Sequence, residues 1–387
     1  MIIYNKTWLA NLHLQSALKN DHRSGCITDA ELNLIIEKYP VGFYSPGIWL
    51  RVGLFILTCI IALFSGGLLT LMLGSSGLVE GPPWLFILTV FCYIALELIV
   101  KQKNHYRSGV DDALLFMTAV LVSIGFYWMI SEINNFDADY IPLSGLIFLV
   151  SLYFVLRFAD MLMAAVCCIA FFAFLFFTWT RAIPAGLATA PFIMMLVSGV
   201  AYWQSLRQST NIKLIYYENC LTITRVICLL ALYAAGNYYV IQTLGSEINT
   251  TVAVPFGWFF WVWTILLPFV YIVFGLRRKD VILLRAGLSL LIIAAVTFRT
   301  YYHILPVDVS LTIVGTGLLG VAYFTIKYLK TPKHGFTYAE PDDPHLMDRF
   351  KIESLIVAQT FSATVPANDG SKFGGGDFGG GGSGSSF

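Results

Sequence analysis

Apolar residues in this chain come in long unbroken runs rather than at the spacing of a half-buried surface helix or strand. The runs occupy approximately 48–73, 83–100, 112–131, 141–157, 159–179, 185–204, 221–243, 253–276, 281–300 and 308–327. Crossing the hydrocarbon core of a bilayer as a helix takes roughly 20 apolar residues. The pattern therefore predicts an all-α polytopic bundle of about ten transmembrane helices over residues 47–330. Polar or turn-forming sequence such as Gly81-Pro82-Pro83 and Lys101-Gln102-Lys103-Asn104 separates most runs. The narrowest junction is Arg157–Asp160, where a turn between two helices and a single re-entrant element both fit.

Residues 1–46 are more polar and predict a small helical hairpin. Its first helix, near Thr7–Asn20, presents Trp8, Leu9, Leu12, Leu14 and Leu18, and Ser24-Gly25 ends it. The second opens on Thr28-Asp29-Ala30-Glu31, a capping box in which the Thr28 hydroxyl and the Glu31 carboxylate satisfy free N–H groups reciprocally, and it stops before Pro40. A hairpin of this size buries too little surface to fold alone, so it is expected to pack on the membrane domain or on a partner. The first apolar run begins only near Ile48 and is too long for a signal h-region, so no cleavable signal peptide is expected. After the last run, residues 331–368 form an amphipathic segment. The Gly/Ser/Phe-rich residues 369–387 lack the apolar content to offset chain entropy and are expected to be a disordered tail.

Composition sharpens the reading. Of 387 residues 57% are hydrophobic and only 12% charged, against about 25% charged in a soluble domain. Too few charges remain to clothe a water-facing surface. The formal net charge of +1 and the absence of a basic stripe exclude a nucleic-acid partner. The seven cysteines lie mostly inside apolar runs without CxxC spacing, which fits small buried hydrophobes rather than a disulfide framework or a zinc site. No metal or cofactor signature is present. Lysine and arginine favour cytoplasmic loops. With the N-terminus cytoplasmic, all 24 fall on the inside segments except Arg181 and Arg299. The outside loops instead carry Glu80, Glu132, Asp137, Asp139, Glu247 and Asp308. An even helix number keeps this alternation in phase and puts the C-terminal tail inside as well.

Ionisable groups in or beside lipid are the candidates for function, because burying them is costly without a partner. Arg181 and Arg299 break the charge bias. With Asn237 and His303 at similar depth they define a candidate outer polar pocket for an anionic headgroup or solute. Pairing with Glu132, Asp137 or Asp308, or snorkelling to lipid phosphate, explains both arginines more simply. Glu97 is the one carboxylate well inside an apolar run. It suits a proton relay, or an ion pair with Arg51 or Arg157, and the pair is favoured. Asp111 and Asp112 open the third run, where the positive end of the helix dipole accommodates them without invoking a bound cation. Gly315-Thr316-Gly317-Leu318-Leu319-Gly320 has the GxGxxG form but lies in an apolar run rather than after a strand, so close helix packing explains it and a nucleotide does not. No catalytic motif appears, and the chain leans away from an enzyme.

Three segments together, Gly25-Cys26-Ile27-Thr28-Asp29-Ala30-Glu31, the helix bundle that follows directly, and Ser108-Gly109-Val110-Asp111-Asp112-Ala113-Leu114-Leu115, resemble a domain-of-unknown-function family of bacterial polytopic membrane proteins. The resemblance implies a multi-pass protein of the bacterial inner membrane with a short cytoplasmic helix pair, and supplies no activity. The Gly-rich tail is similar to tails of bacterial membrane proteins that carry a TPM domain, a domain absent from this sequence. Two classes of function remain: a transport-type or solute- and lipid-binding bundle centred on Arg181, Asn237, Arg299 and His303, or a non-catalytic scaffold or sensor that recruits cytoplasmic protein partners through its hairpin and tail.

Overall fold

A computed structural model of the chain describes residues 2–302, apart from 24–25, 75–78, 80, 134–139, 185 and 249–255, and beyond these only 309, 312, 315–317, 319–320, 323 and 327. His303, most of the tenth apolar run and the whole segment from 328 onward lie outside the described residues. The chain separates into two units, residues 1–16 with 33–338, and 17–32 with 339–387.

Most of the described residues are helical, and no strand is found among them. Helices α1 (Lys6–Arg23) and α2 (Asp29–Lys38) come first. The capping box is formed: Thr28 N–H and Oγ1–H both donate to Glu31 Oε2, at 2.9 and 2.8 Å. The bond from the Thr28 backbone N–H, with that from its hydroxyl, holds the Glu31 carboxyl below its usual range. Then follow α3 (Ile48–Leu73), α4 (Pro82–Lys103), α5 (Val110–Ile133), α6 (Tyr140–Phe158), α7 (Met161–Ala182) and α8 (Gly186–Ser209). A 3₁₀ turn over Ile212–Tyr217 leads into α9 (Glu218–Gly236), α10 (Tyr238–Ile248), α11 (Gly257–Arg278) and α12 (Val281–Tyr302).

Among the described residues nine helices are long and apolar enough to cross a membrane. They match the first nine runs, with one correction. The run over 221–243 is not one helix, because it breaks at Asn237, where α9 stops and the short α10 begins. The Arg157–Asp160 junction is a true turn. Ala159 takes a left-handed conformation (φ 49°), and Asp160 caps α7 by accepting from Met163 N–H at 2.8 Å.

Consecutive helices pair as hairpins, α4 with α5, α6 with α7, α8 with α9 and α11 with α12, while α3 leans chiefly on α5. The α11–α12 pair is close because Gly275 and Gly287 lie against the facing backbone; a Cβ on Gly275 would sit 2.8 Å from Leu284 N. One core is built by Leu96, Val100, Leu114, Phe154 and Phe158 of α4–α6, a second by Leu229, Leu267, Tyr271 and Leu290 of α9, α11 and α12. Outward faces stay apolar. No residue of α3 is buried, and its Leu71 is 83% exposed. In water such a helix would be untenable; in lipid it is already solvated. The chain is a multi-pass membrane protein. In sequence the connections at the end where α3 starts and α4 ends, the basic end, are rich in Lys and Arg, and those between the other helix ends are acidic.

Candidate functional site at the basic end

The residues that converge on one place are not those that stand out in the sequence. They lie where the N-terminal segment meets the α4–α5 and α6–α7 connections. Ile3 N–H donates to Arg157 C=O at 3.0 Å. This pins the extended residues 2–5 and drives Tyr4 inward, where it is 8% exposed. Its ring meets Tyr106, Phe43 and Phe158 edge-on, with centroids 4.9, 6.0 and 6.4 Å away. Burial, and after it the nearby Asp111, push the Tyr4 phenol well above its ordinary range, so it stays protonated.

The α4–α5 connection is shaped by three left-handed residues, Asn104, Arg107 and Gly109 (φ 52°, 50° and 94°). It is tied to the N-terminal segment by Tyr44 N–H to Asn104 C=O (3.0 Å) and Tyr106 N–H to Tyr44 C=O (3.2 Å). The turn folds onto the Asp111 carboxylate. Oδ2 accepts from Arg107 N–H (2.8 Å), and Oδ1 accepts from Ser108 N–H (2.8 Å) and Ser108 Oγ–H (2.9 Å). Ser108 Oγ also lies 2.7 Å from His105 Nδ1. With its one hydrogen given to Asp111 Oδ1, Ser108 Oγ accepts from His105, so Nδ1–H is the donor. The chain His105–Ser108–Asp111 therefore runs in one direction.

Asp112 points to α3 instead, where Arg51 Nε and Nη2 reach its Oδ2 at 2.8 and 2.7 Å. Asp160 faces the same region. Burial raises its carboxyl above the usual range, against the opposing pull of Met163 N–H and the Arg107 guanidinium. Between these groups is a cavity of about 10 Å³ lined by Tyr4, Tyr106, Arg107, Asp111, Asp112 and Asp160 among others. That is about the volume one water needs. The Asp111, Asp112 and Asp160 carboxyls thus share the region with the Arg51 and Arg107 guanidinium groups. No group of three or more His, Cys, Asp or Glu among the described residues is disposed to hold a metal ion.

Glu97 meets Arg157, one of the two partners open to it in the sequence, at 2.6 Å, and Lys101 at 2.8 Å. The Tyr93 hydroxyl also donates to it, at 2.7 Å. The other partner, Arg51, is taken by Asp112. The outer polar set is spread over several helices. Asn237 is buried at the α9–α10 break, where its Oδ1 accepts from Tyr239 N–H (2.9 Å) and its Nδ2 donates to Tyr233 Oη (3.0 Å) and Thr297 Oγ1 (3.3 Å). Arg181 is exposed in the last turn of α7, Arg299 is half-buried in the last turn of α12, and His303 is not among the described residues. Tyr4, His105 and the Arg51–Asp112 pair carried no signal when read alone; the nearest was the Ser108-Gly109 turn before two aspartates.

Compared with family models, curated proteins and solved structures, the chain matches none.

Proposed function

We propose that this multi-pass membrane protein is a non-catalytic sensor or scaffold, in which the state of the N-terminal hairpin is transmitted to the polar cluster at the basic end. The observation that carries the reading is the seat of Tyr4, a buried wedge lining the cavity formed with Asp111, Asp112 and Asp160. A segment held only for stability has no need to close a cavity lined by three carboxyls and a guanidinium. A cytoplasmic protein that grips the hairpin would pull directly on it. The charge bias and the bacterial family resemblance support placing this end in the cytoplasm of an inner-membrane protein.

Ile2 packs against the buried cluster of Ala159, Ala164 and Cys220 beside Tyr4, so Cys220 is a native reporter. Tyr4→Ala is expected to speed maleimide labelling of Cys220 about tenfold or more, which corresponds to about 1.4 kcal/mol of easier local opening. Labelling is read by mass spectrometry of the peptide. An unchanged rate means that the segment does not govern the cluster, and the sensor reading is lost.

A transport-type bundle is the second reading, favoured by the break at Asn237, since interrupted helices line substrate sites in many transporters. It expects a solute flux in proteoliposomes that Arg181→Ala or Arg299→Ala abolishes while Tyr4→Ala leaves it intact.

A further inference from the structure

A second feature of the basic end is independent of both readings. Where α3 begins, α4 ends and α5 begins, a groove of about 380 Å³ opens, lined by Tyr44, Leu54, Lys103, His105 and Val110. Two kinds of wall meet in it. Leu54 lies in the apolar run of α3 and Val110 is the first residue of α5, next to the uncovered surface of α3, on which Leu50 is 55% and Leu57 51% exposed. Lys103 and His105 lie at the polar end of α4, one residue to either side of its left-handed cap, Asn104.

The polar wall is held in place before any ligand arrives. The backbone of Tyr44 is bonded on both sides to the α4–α5 connection. The Tyr44 and His105 rings lie 4.9 Å apart. His105 Nδ1–H is committed to Ser108 and through it to the Asp111 carboxylate, so the ring presents Nε2 to the groove. The groove thus offers the Lys103 ammonium beside the fixed His105 ring at headgroup level, above an apolar trough at acyl-chain level. A soluble phosphate would use only the first half, whereas an anionic phospholipid uses both. Basic pockets between transmembrane helices on the cytoplasmic side are the setting in which such headgroups bind.

We propose that this groove binds an anionic phospholipid, its phosphate on Lys103 beside the His105 ring and an acyl chain along Leu54 and Val110.

The test uses the full-length protein in a neutral detergent, with phosphatidylglycerol or phosphatidylcholine added in mixed micelles and bound lipid counted by native mass spectrometry. Phosphatidylglycerol is expected to bind about tenfold more tightly than phosphatidylcholine. Lys103→Gln should weaken it about fivefold, the share of one basic residue near an anionic lipid surface. Leu54→Trp, which fills the trough without changing charge, should remove the preference. Arg207→Gln, at the same end of the bundle but outside the groove, should leave it intact. Equal binding of the two lipids overturns the proposal. So does a loss in Arg207→Gln as large as that in Lys103→Gln, which would mean diffuse attraction to the whole basic end. Displacement of phosphatidylglycerol by millimolar inorganic phosphate would make the groove a phosphate site and overturn the lipid assignment.

Discussion

Glu97 receives three donors, Tyr93, Lys101 and Arg157, and each could find water or lipid phosphate if released except where the bundle confines it. Arg157 is the confined one, since its side chain is only 29% exposed. Removing the negative charge should therefore cost more than an exposed ion pair, for which 0–1 kcal/mol is usual. Glu97→Gln is expected to destabilise the protein by about 1–3 kcal/mol, read by thermal unfolding in detergent, because it removes the charge that Arg157 meets at 2.6 Å. Lys101→Gln should cost a fraction of that. Asp160 gives a pH-dependent case of opposite sense. Burial raises its carboxyl in the folded protein, so the native state binds that proton more firmly than the unfolded chain does. Its contribution is fullest below the ordinary carboxylate pKa, about 4, and is lost as pH rises through the raised value. Asp160→Asn keeps the oxygen that caps α7 and removes the charge. Stability of the variant relative to wild type should rise from about pH 4 toward pH 7; a difference that does not vary with pH would refute the assignment.

Helix α3 is attached to the rest of the bundle by a few contacts. Arg51 bonds Asp112, Phe55 meets Phe116 edge-on, and at the far end Trp84 Nε1–H donates to Thr70 Oγ1 at 3.0 Å. The close approach of α3 at Arg51 relies on Gly109, whose φ of 94° suits glycine and whose missing Cβ would clash with Arg51 C=O. Gly109→Ala is expected to cost more than about 2 kcal/mol and to free α3 selectively. Hydrogen exchange should rise across 48–73 while the α11–α12 hairpin is unaffected. At the α9–α10 break, Asn237→Ala removes a helix cap and two buried hydrogen bonds together, and about 2–3 kcal/mol is expected from the usual worth of each. This break also marks the limit of reading elements from the chain. The apolar runs gave the helices because lipid demands length and little else. Gly236-Asn237 is a helix stop, but the tyrosines and valine that follow keep the run apolar and hide it.

At the scale of the whole molecule, the charge asymmetry of the loops is visible in the sequence because sidedness acts on every loop at once, whereas the candidate site is not, because its parts are brought together only by packing. Arg51 and Asp112 are 61 positions apart, and Tyr4 meets Asp160 through a turn of two residues between α6 and α7. Neither has a local pattern. Ile2-Ile3-Tyr4 is three apolar residues in a polar stretch until the bundle supplies their seat. Glu97 was half legible, since its depth called for a basic partner and only geometry chose Arg157. The same asymmetry makes a prediction about the chain's parity. Nine candidate spans among the described residues carry the chain from the basic end to the acidic end. The run at 308–327 is expected to carry it back. An impermeant maleimide applied to one face of oriented membrane vesicles should then label Lys103→Cys and Ser371→Cys together, in a background where exposed Cys26 is serine, and should label Arg181→Cys only from the opposite face. If Ser371→Cys is labelled with Arg181→Cys instead, the tenth run does not cross. The tail would then face away from the N-terminal hairpin, and no single partner on one side of the membrane could hold both.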